Sequence, residues 1–468
     1  MDTLAASDLL LFVNAAITAT GQREFRADAG TQRLSLEFLH DYLLGNYRDL
    51  YAATLALDVN DHNAAMIVAR LLADPGTTTP DERRREGRLI AARLAVTPPQ
   101  RVYDLFRSLR RARVNNRLTR AVVRDWLAAR PDLAFDAVKY RGAVRDTVRH
   151  THLAPPAELG PFLFAPRRQS RYATPILDAW RRAHHERSAV YELPFTVAEG
   201  FAARHGIDRA TFLERATPTM TRLERLRLRE SAARAGVGVA PDLDTMPLTR
   251  LASYVLSLPG DDRALRRAEL TGALRVAARR VAGEHAGRWG RVAAVLDDSF
   301  SSIGSTHKRR RPLAVALAAH FLCEALATTY VPLWTSGRTD ALLLHPFGPT
   351  PLGERVLDAL DHAPDRLLIV SDGWDNAPPG LAAEVLRVWR ERLDPDGRTA
   401  VVHLNPVYDA DDFDVHRLCA GVPTVGVRNA EDLPALVEFA GLAAGTGDLD
   451  RLRSYLDQRV ARFAGPAR

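Results

Sequence analysis

The sequence predicts an α + α/β protein, in which a long α-helical region is followed by a doubly wound, mostly parallel sheet. Three observations predict this fold. Helical periodicity dominates residues 34–286, short apolar runs alternate with helices from about residue 287 onward, and polar side chains follow several of those runs. We therefore expect a helical domain over residues 1–286 and an α/β domain over residues 287–468.

The helical region consists of amphipathic segments separated by turns that contain Pro or Gly. It lacks the alternation of apolar and polar residues that is typical of strands. Segments of similar length follow one another in pairs, which is typical of an α-solenoid. The predicted helices cover residues 34–57, 63–72, 83–94, 99–111, 113–129 and 135–150, and the Pro-rich residues 155–169 are predicted to form a loop.

The α/β region contains apolar runs of strand length with helical segments between them. This alternation predicts a parallel sheet with helices on both faces, and in such folds ligands bind beyond the carboxyl ends of the strands. The predicted strands cover residues 291–296, 328–334, 341–344, 366–370, 399–404 and 424–427, and the predicted helices cover residues 312–327, 352–360, 381–392 and 433–442.

Composition narrows the class of protein. The chain has 468 residues, a formal net charge of +7 and a pI near 9.7. Its two cysteines, Cys323 and Cys419, lie in apolar surroundings and predict buried, reduced thiols rather than a disulfide framework or a zinc site. No apolar segment has the ~20 residues of a membrane span, and the first residues lack the basic start of a signal peptide. We therefore expect a cytoplasmic protein.

Oxygen-bearing side chains follow the first, third and fourth predicted strands. The first group forms a D-x-S-x-S motif, the second is a Thr after Gly-Pro, and the third is an Asp at the end of an apolar run. Hard oxygen ligands of this kind suit magnesium or manganese, and we expect Mg²⁺. The alternative is that the motif only caps the following turn. The candidate ligands are Asp297, Ser299, Ser301, Thr350 and Asp372.

A basic run, His307 to Pro312, follows the D-x-S-x-S motif. It allows two interpretations. The run is either a solvated group of charges or a patch that attracts an anion beside the metal, where phosphate would gain from both the cation and the arginine forks.

Residues 101–150 carry 13 basic residues against five acidic ones. In the predicted helices, arginines recur at i, i+4, i+7 and i+11, so that they share one stripe, while Val114, Leu118, Val122 and Trp126 share the opposite, core-facing stripe. Like charges at this spacing repel, and a polyanion lying along the helices would explain them. The alternative is a solvated arginine face in an arginine-rich proteome. The stripes consist of Arg113, Arg117, Arg120 and Arg124, and of Arg141, Arg145, Arg149 and His152.

The stretch from Ala121 to Pro156 resembles the signature region of the TROVE domain, the module of the Ro autoantigen family. The similar elements occur in the family's order, and the segment from Glu192 to Gly206 resembles another family segment. The second half of the chain resembles the von Willebrand factor A domain, and its oxygen donors resemble the metal-ion-dependent adhesion site of that domain. The resemblance covers most of the chain beyond about residue 85. The signature elements are Arg124-Asp125-Trp126, Lys139-Tyr140 and His152-Leu153-Ala154-Pro155.

The resemblance implies a ring of HEAT-like helical repeats closed by a von Willebrand factor A domain. It implies binding of small structured Y RNAs on the outer basic surface and of the 3′ ends of defective noncoding RNAs in the central hole. Bacterial relatives associate with polynucleotide phosphorylase and RNA repair enzymes. By position, Lys139, Arg145 and His152 would contact RNA, although His152 is also compatible with a packed core histidine. Family members often have Gly in place of Phe300 and a basic residue in place of Ala154.

The sequence contains no set of residues typical of a catalytic site, such as a serine hydrolase or P-loop motif, and the metal motif is rich in hydroxyls rather than carboxylates. We therefore predict an RNA-binding scaffold of the Ro type in RNA quality control, without enzymatic activity and without a membrane or DNA partner. The alternative is a protein–protein adaptor that works with an AAA+ ATPase in a stress or defence system. RNA that co-purifies with the protein would distinguish the two.

Overall fold

A computed structural model describes residues 2–74, 76, 78–156, 158–221, 224, 225, 228, 243–444 and 449–465. The chain forms two compact units. We call the first the sheet unit; it contains residues 1–67 and 243–468. We call the second the helical unit; it contains residues 68–242. No helix in the described ranges combines the length and the apolar character that crossing a membrane requires.

The first three helices precede the helical unit in the chain, and the fourth continues into it. They are α1 (Asp2–Thr18), α2 (Ala29–Asn46), α3 (Arg48–Ala53) and α4 (Asp61–Ala73). The helical unit continues with α5 (Pro80–Val96), α6 (Pro99–Arg111), α7 (Arg117–Ala128), α8 (Leu133–Lys139), α9 (Arg141–Thr151), α10 (Leu159–Phe164), α11 (Pro175–Arg182), α12 (Phe195–Arg204) and α13 (Arg209–Ala216).

Local capping explains where these helices begin. Thr79 and Glu82 form a reciprocal capping box at the start of α5. The side chain of Asn116 accepts a hydrogen bond from the backbone N–H of Thr119, and Asp132 caps α8 in the same way. The helix predicted over residues 113–129 therefore begins only at Arg117.

Packing within the helical unit joins α6 and α8 to α9, and α5 to α7. Aromatic rings form the centre of this packing: Tyr103 and Phe106 both meet Trp126 edge to face, at 5.1 and 5.4 Å between ring centroids. The indole N–H of Trp126 donates to the carbonyl of Leu94. Trp126 is thus a core residue, as its predicted place on the apolar stripe indicated.

Several details of the helical prediction are wrong. The buried stripe of α7 consists of Thr119, Val123, Trp126 and Leu127. The predicted stripe has strict i+4 spacing, which drifts by about 40° per step around a helix of 3.6 residues per turn and so leaves the buried face. The helix predicted over residues 135–150 is two helices, because the backbone leaves the helical region at Tyr140. Residues 155–169 contain α10 rather than only a loop, since Leu159, Phe162 and Leu163 are buried.

The sheet unit contains α14 (Leu248–Ser257), α15 (Gly260–Leu265) and α16 (Arg267–Ala282) before its sheet. The strands are β1 (Arg291–Leu296), β2 (Thr329–Trp334), β3 (Arg366–Val370), β4 (Ala400–Asn405), β5 (Tyr408–Asp409), β6 (Asp414–Val415) and β7 (Thr424–Gly426). The helices among and after the strands are α17 (Arg311–Leu326), α18 (Leu352–Asp361), α19 (Leu381–Arg392), α20 (Leu433–Ala444) and α21 (Leu449–Ala464).

The five-stranded sheet is parallel throughout, in the order β2-β1-β3-β4-β7. Ala293, Val295, Leu367 and Ile369 pack against α18 and α19, while α17 packs against β1, β2 and β3. The central strands β1, β3 and β4 are largely buried because helices pack against the sheet, as expected for a doubly wound fold, whereas the edge strand β2 is partly exposed.

One predicted strand, residues 341–344, is wrong. Residues Ala341–Leu343 form a 3₁₀ turn whose start is capped by the side chain of Asp340. The carbonyls of Leu342 and Leu344 accept hydrogen bonds from the buried guanidinium of Arg263. Because a side chain already satisfies these carbonyls, residues 341–344 do not require hydrogen bonds from a neighbouring strand.

The first helices of the chain belong to the sheet unit. The side-chain amide of Asn14 donates to Asp414 at 3.0 Å, and its carbonyl oxygen accepts from the backbone N–H of Gly426 at 2.9 Å. The side chain of Gln32 donates to the carbonyl of Tyr408. The predicted domain boundary at residue 286 marks the point where helices give way to strands. In the structure, residues 1–67 belong to the same compact unit as the sheet, and contacts of this kind join them to it.

Candidate metal centre and basic helical face

Three connections meet at the carboxyl edge of the sheet. Asp297 directly follows β1, and its backbone N–H donates to the carbonyl of Val370 at the end of β3. Asp372 lies two residues beyond β3, and Thr350 lies just before α18, in the connection from β2. The site residues therefore approach one another because β1 and β3 are parallel neighbours.

Backbone hydrogen bonds join these connections to each other. The N–H of Phe300 donates to the carbonyl of Gly348 at 3.0 Å, and the N–H of Phe347 donates to the carbonyl of Asp298 at 3.0 Å. On the other side, the N–H of Thr350 donates to the side chain of Asn376 at 2.8 Å. The loop that carries Thr350 is thus held against the loops that carry the other donors.

The donors form a connected, largely buried cluster. Asp297 accepts from the backbone N–H of Ser299 at 2.8 Å, the hydroxyls of Ser299 and Ser301 lie 3.3 Å apart, and the hydroxyl of Ser301 bonds to Asp372. Asp297, Ser299, Thr350 and Asp372 are buried, and Ser301 is partly buried. The five residues selected from the sequence are therefore placed on adjoining loops.

The two carboxyl groups disfavour each other's charge. Burial, followed by the nearby charge of Asp372, raises the pKa of Asp297 to about 7. Burial also raises the pKa of Asp372, against the lowering influence of Ser301. Two buried carboxyls beside three hydroxyls are hard oxygen donors whose charge a divalent cation would balance. The donor set fits Mg²⁺, and metal binding itself stays a prediction.

The neighbouring Asp298 stabilises the loop through hydrogen bonds and is not one of the candidate metal ligands. Its buried carboxylate accepts hydrogen bonds from the hydroxyl of Thr335 and from the backbone N–H and hydroxyl of Ser336. These bonds hold the loop after β1 against the end of β2. The ring of Phe300 in the same loop is 58 % exposed.

The basic run from His307 to Pro312 is mostly structural, so neither interpretation of it is correct as a whole. Lys308 forms a buried ion pair with Glu24. Arg310 donates to the carbonyl of Leu256, and Arg311 donates to the carbonyl of Arg428. Three of the basic side chains are thus used to hold the sheet unit together.

The arginines on α7 are exposed, as predicted. Arg117, Arg120 and Arg124 follow one another along the helix, and Arg124 pairs with Asp125. Within the described ranges, Arg117 and Arg120 form no ion pair. Arg113 is also exposed, but it lies in the turn before α7 with a φ of 58° rather than on the helical stripe.

The turn before α7 packs beside the end of α9. The side chain of Asn115 donates to the carbonyl of His150 at 2.7 Å, and the imidazole of His150 lies 2.9 Å from the carbonyl of Val114. Arg149 and His152 are exposed at this end of α9. His152 is therefore not a core histidine, and it lies near the turn that carries Arg113.

Three of the predicted RNA-binding residues are partly or largely used within the protein. Lys139 is 16 % exposed and lies 3.5 Å from Glu224. The guanidinium of Arg141 donates to two backbone carbonyls of α10 and stacks on Phe162, and burial lowers its pKa. Arg145 is partly exposed, 3.7 Å from Asp146.

It was not predicted from the sequence that the N-terminal segment Glu24-Phe25-Arg26 reaches the loops of the candidate metal donors. We call residues 297–301, 347–350 and 371–374 the metal loops. Each residue of the N-terminal segment contacts a group more than 270 positions away in the chain. Nothing in the local pattern of this segment marks such contacts, since they depend on how α1 and α2 pack against the sheet.

No protein-family model matches this sequence, and no curated protein matches it. Among solved structures, the crystal structure of the Ro (RSR) protein of Deinococcus radiodurans is similar, with a TM-score of 0.51 and 14 % sequence identity. The similarity covers 92 % of this chain and 99 % of that one. It confirms the predicted fold class, a helical TROVE-like module combined with a doubly wound von Willebrand factor A-like sheet, and it confirms the resemblance to the Ro family at the level of fold.

Proposed function

We propose that this chain is an RNA-binding scaffold of the Ro type, which binds small structured, Y-like noncoding RNA and the 3′ ends of defective RNAs in RNA quality control. The observation that supports this most strongly is the fold similarity to a Ro protein along nearly the whole of both chains. The resemblance of the sequence to the Ro family also implies RNA binding.

The exposed arginines of the helical unit support the same proposal. Arg117 and Arg120 keep their guanidinium groups available, and Arg113, Arg149 and His152 are exposed around the adjoining helix ends. Arginine forks bind phosphate oxygens, and contacts of this kind position a nucleic acid without reading its sequence. Such a surface suits RNA whose shape, rather than base sequence, is recognised.

We assign a Mg²⁺ site to Asp297, Ser299, Ser301, Thr350 and Asp372. When bound, the ion would supply a coordination position for an oxygen of a partner molecule. In this proposal the two carboxylates and three hydroxyls on these adjoining loops would surround the ion. The donor set is poor in carboxylates compared with two-metal nuclease sites, so we assign the site to binding and not to catalysis.

We further propose that the protein acts in the cytoplasm and has no enzymatic activity of its own. It would then present RNA to enzymes such as polynucleotide phosphorylase or RNA repair enzymes. A scaffold of this kind requires two separate surfaces, one for RNA and one for a partner, and the chain has two compact units that can carry them.

The proposal is tested by purifying the protein from its own cells and sequencing the RNA crosslinked to it. We expect a high ratio of absorbance at 260 to 280 nm and enrichment of small structured RNAs. In binding assays, affinity for a hairpin RNA should exceed affinity for an unrelated acidic polymer such as polyglutamate. Absence of RNA, with a protein partner captured instead and lost in Asp297→Ala, would favour the adaptor interpretation and overturn the proposal.

A further inference from the structure

We call the carboxyl edge of the sheet, with the metal loops and the residues that follow them, the metal edge. The three residues of the N-terminal segment contact three different parts of it. Glu24 forms a buried ion pair with Lys308, which follows the metal loop. The ring of Phe25 meets the ring of Phe300, inside the metal loop, at 6.1 Å and nearly edge to face. The guanidinium of Arg26 lies 4.3 Å from the ring centroid of Trp374, just beyond Asp372.

Arg26 is held in place by a stack of three side chains. Trp374 contacts the guanidinium of Arg26 and also stacks on the imidazole of His416, with the two rings 4.3 Å apart and 7° from parallel. Cation–π contacts of this kind stabilise an arginine without using its N–H donors. In the described part of the chain, Arg26 is exposed and forms no ion pair, and its charge acts on the carboxyl of Asp372.

The metal edge also exposes aromatic rings. Phe300 and Phe347 are 58 % and 60 % exposed, and backbone hydrogen bonds hold their loops side by side. Of the five exposed Phe and Trp side chains in the described ranges, Phe300, Phe347 and Trp374 lie on these loops, and only Phe38 and Phe164 lie elsewhere. Exposed rings are costly in water, so their concentration at one edge marks a binding surface.

We propose that Arg26, Phe300 and Phe347 form a subsite for single-stranded RNA at the metal edge. Arg26 donates to a phosphate group that also reaches the metal position, and unpaired bases stack on Phe300 and Phe347. This inference rests on the proposed function and assigns one of its RNA ligands to particular residues of the sheet unit.

Two features favour RNA over an acidic protein segment. A single carboxylate needs only one cation, which the metal would supply, whereas Arg26 adds a planar fork that suits the oxygens of a phosphate. Two exposed rings beside an arginine also match the platforms on which successive bases of a single strand stack, since every base has a π-face.

The test measures binding of a labelled oligouridine of about ten nucleotides to the full-length protein in Mg²⁺. We expect Arg26→Ala to weaken binding about tenfold, and Phe300→Ala or Phe347→Ala to weaken it about five- to hundredfold. Arg23→Ala removes an exposed arginine just before the segment, and Phe38→Ala removes an exposed ring of α2; both controls should bind like the wild type. Circular dichroism checks that every variant is folded.

A hairpin RNA separates this proposal from the proposed function. Arg26→Ala and Phe300→Ala should bind the hairpin like the wild type. If the wild type binds the hairpin but not oligouridine, or if the variants bind oligouridine normally, the subsite is wrong while the proposed function stands. If a labelled oligoglutamate binds in a Mg²⁺-dependent way and Arg26→Ala weakens that binding instead, the occupant is a protein and the subsite is also wrong. If the wild type binds neither RNA, both proposals fail.

Discussion

The metal edge of the sheet unit and the basic face of the helical unit were both predicted from the types and spacing of their residues. The structure brings the predicted residues together at the metal edge but only partly on the basic face. At the metal edge, all five candidate donors lie on adjoining loops. In the helical unit, Arg117 and Arg120 are exposed and form no ion pair with any residue that the structure describes, whereas Arg141 is bonded to backbone carbonyls.

The difference has a physical origin. Parallel strands end at a common edge, so residues that follow neighbouring strands are brought together by the topology alone. An arginine on a helix has no such constraint. Its long side chain either extends into water or folds back onto a neighbouring helix, and the neighbour decides which. The order of parallel strands therefore predicts which residues come together at a site. The spacing of arginines along a helix predicts less well which of them remain exposed to solvent.

The largest expected effect is at the metal edge. Asp297→Ala should lower Mg²⁺ affinity about a hundredfold or more, since it removes a buried carboxylate ligand that no neighbouring group replaces. Isothermal titration calorimetry measures the affinity. Asp365→Ala is the matched control, because Asp365 directly precedes β3 at the opposite edge of the sheet. Equal affinity in both variants would show that the donors, although adjacent, do not form a metal site.

The next effect concerns the exposed arginines of α7. Arg117→Glu combined with Arg120→Glu should weaken binding of a hairpin RNA at least about tenfold and reduce the salt dependence by about 0.7–0.9 per lost phosphate contact. Fluorescence anisotropy at several salt concentrations measures both. The double variant Arg204→Glu with Arg215→Glu makes the same change of charge at exposed positions of α12 and α13. An equal loss in that control would mean that only net charge matters.

Arg141 should behave as a structural residue. Arg141→Ala should lower the free energy of unfolding by about 1–3 kcal/mol, because two buried carbonyls lose their donor and Phe162 and Trp180 lose a stacking partner. Denaturant unfolding followed by circular dichroism measures this, with the exposed Arg149→Ala as control. If Arg141→Ala unfolds like the wild type but loses affinity for RNA, Arg141 is a contact residue after all.

The effect that is smallest near neutral pH is a pH dependence at the metal edge. Burial lowers the pKa of His403, which lies against Ser371, from 6.5 to about 4. Between these values the unfolded chain binds a proton that the folded chain does not, so His403 reduces stability as the pH falls below 6.5, by at most about 1.4 kcal/mol per pH unit. His403→Gln should flatten this part of the profile in denaturant unfolding at pH 4–8. An unchanged slope would contradict a neutral, buried His403.

Several parts of the fold were predictable from particular residues. The runs at 291–296 and 366–370 are long, apolar and bounded by polar residues, and both are central strands. The run at 341–344 looks similar but forms a turn, because Asp340 caps it and Arg263 bonds its carbonyls. Arg263 lies about 80 residues earlier, and no local pattern connects the two.

The sequence by itself determined the alternation of helices and strands, the buried strands of the sheet and the five oxygen donors at their ends, because periodicity and chain order specify these features locally. Only the tertiary structure decided which arginines remain in solvent, that residues 1–67 pack with the sheet, and that Glu24, Phe25 and Arg26 reach the metal loops. Those outcomes depend on contacts between residues far apart in the chain. Such contacts form only when the helices and strands pack together and bury their apolar surfaces, so no local pattern of residues specifies them.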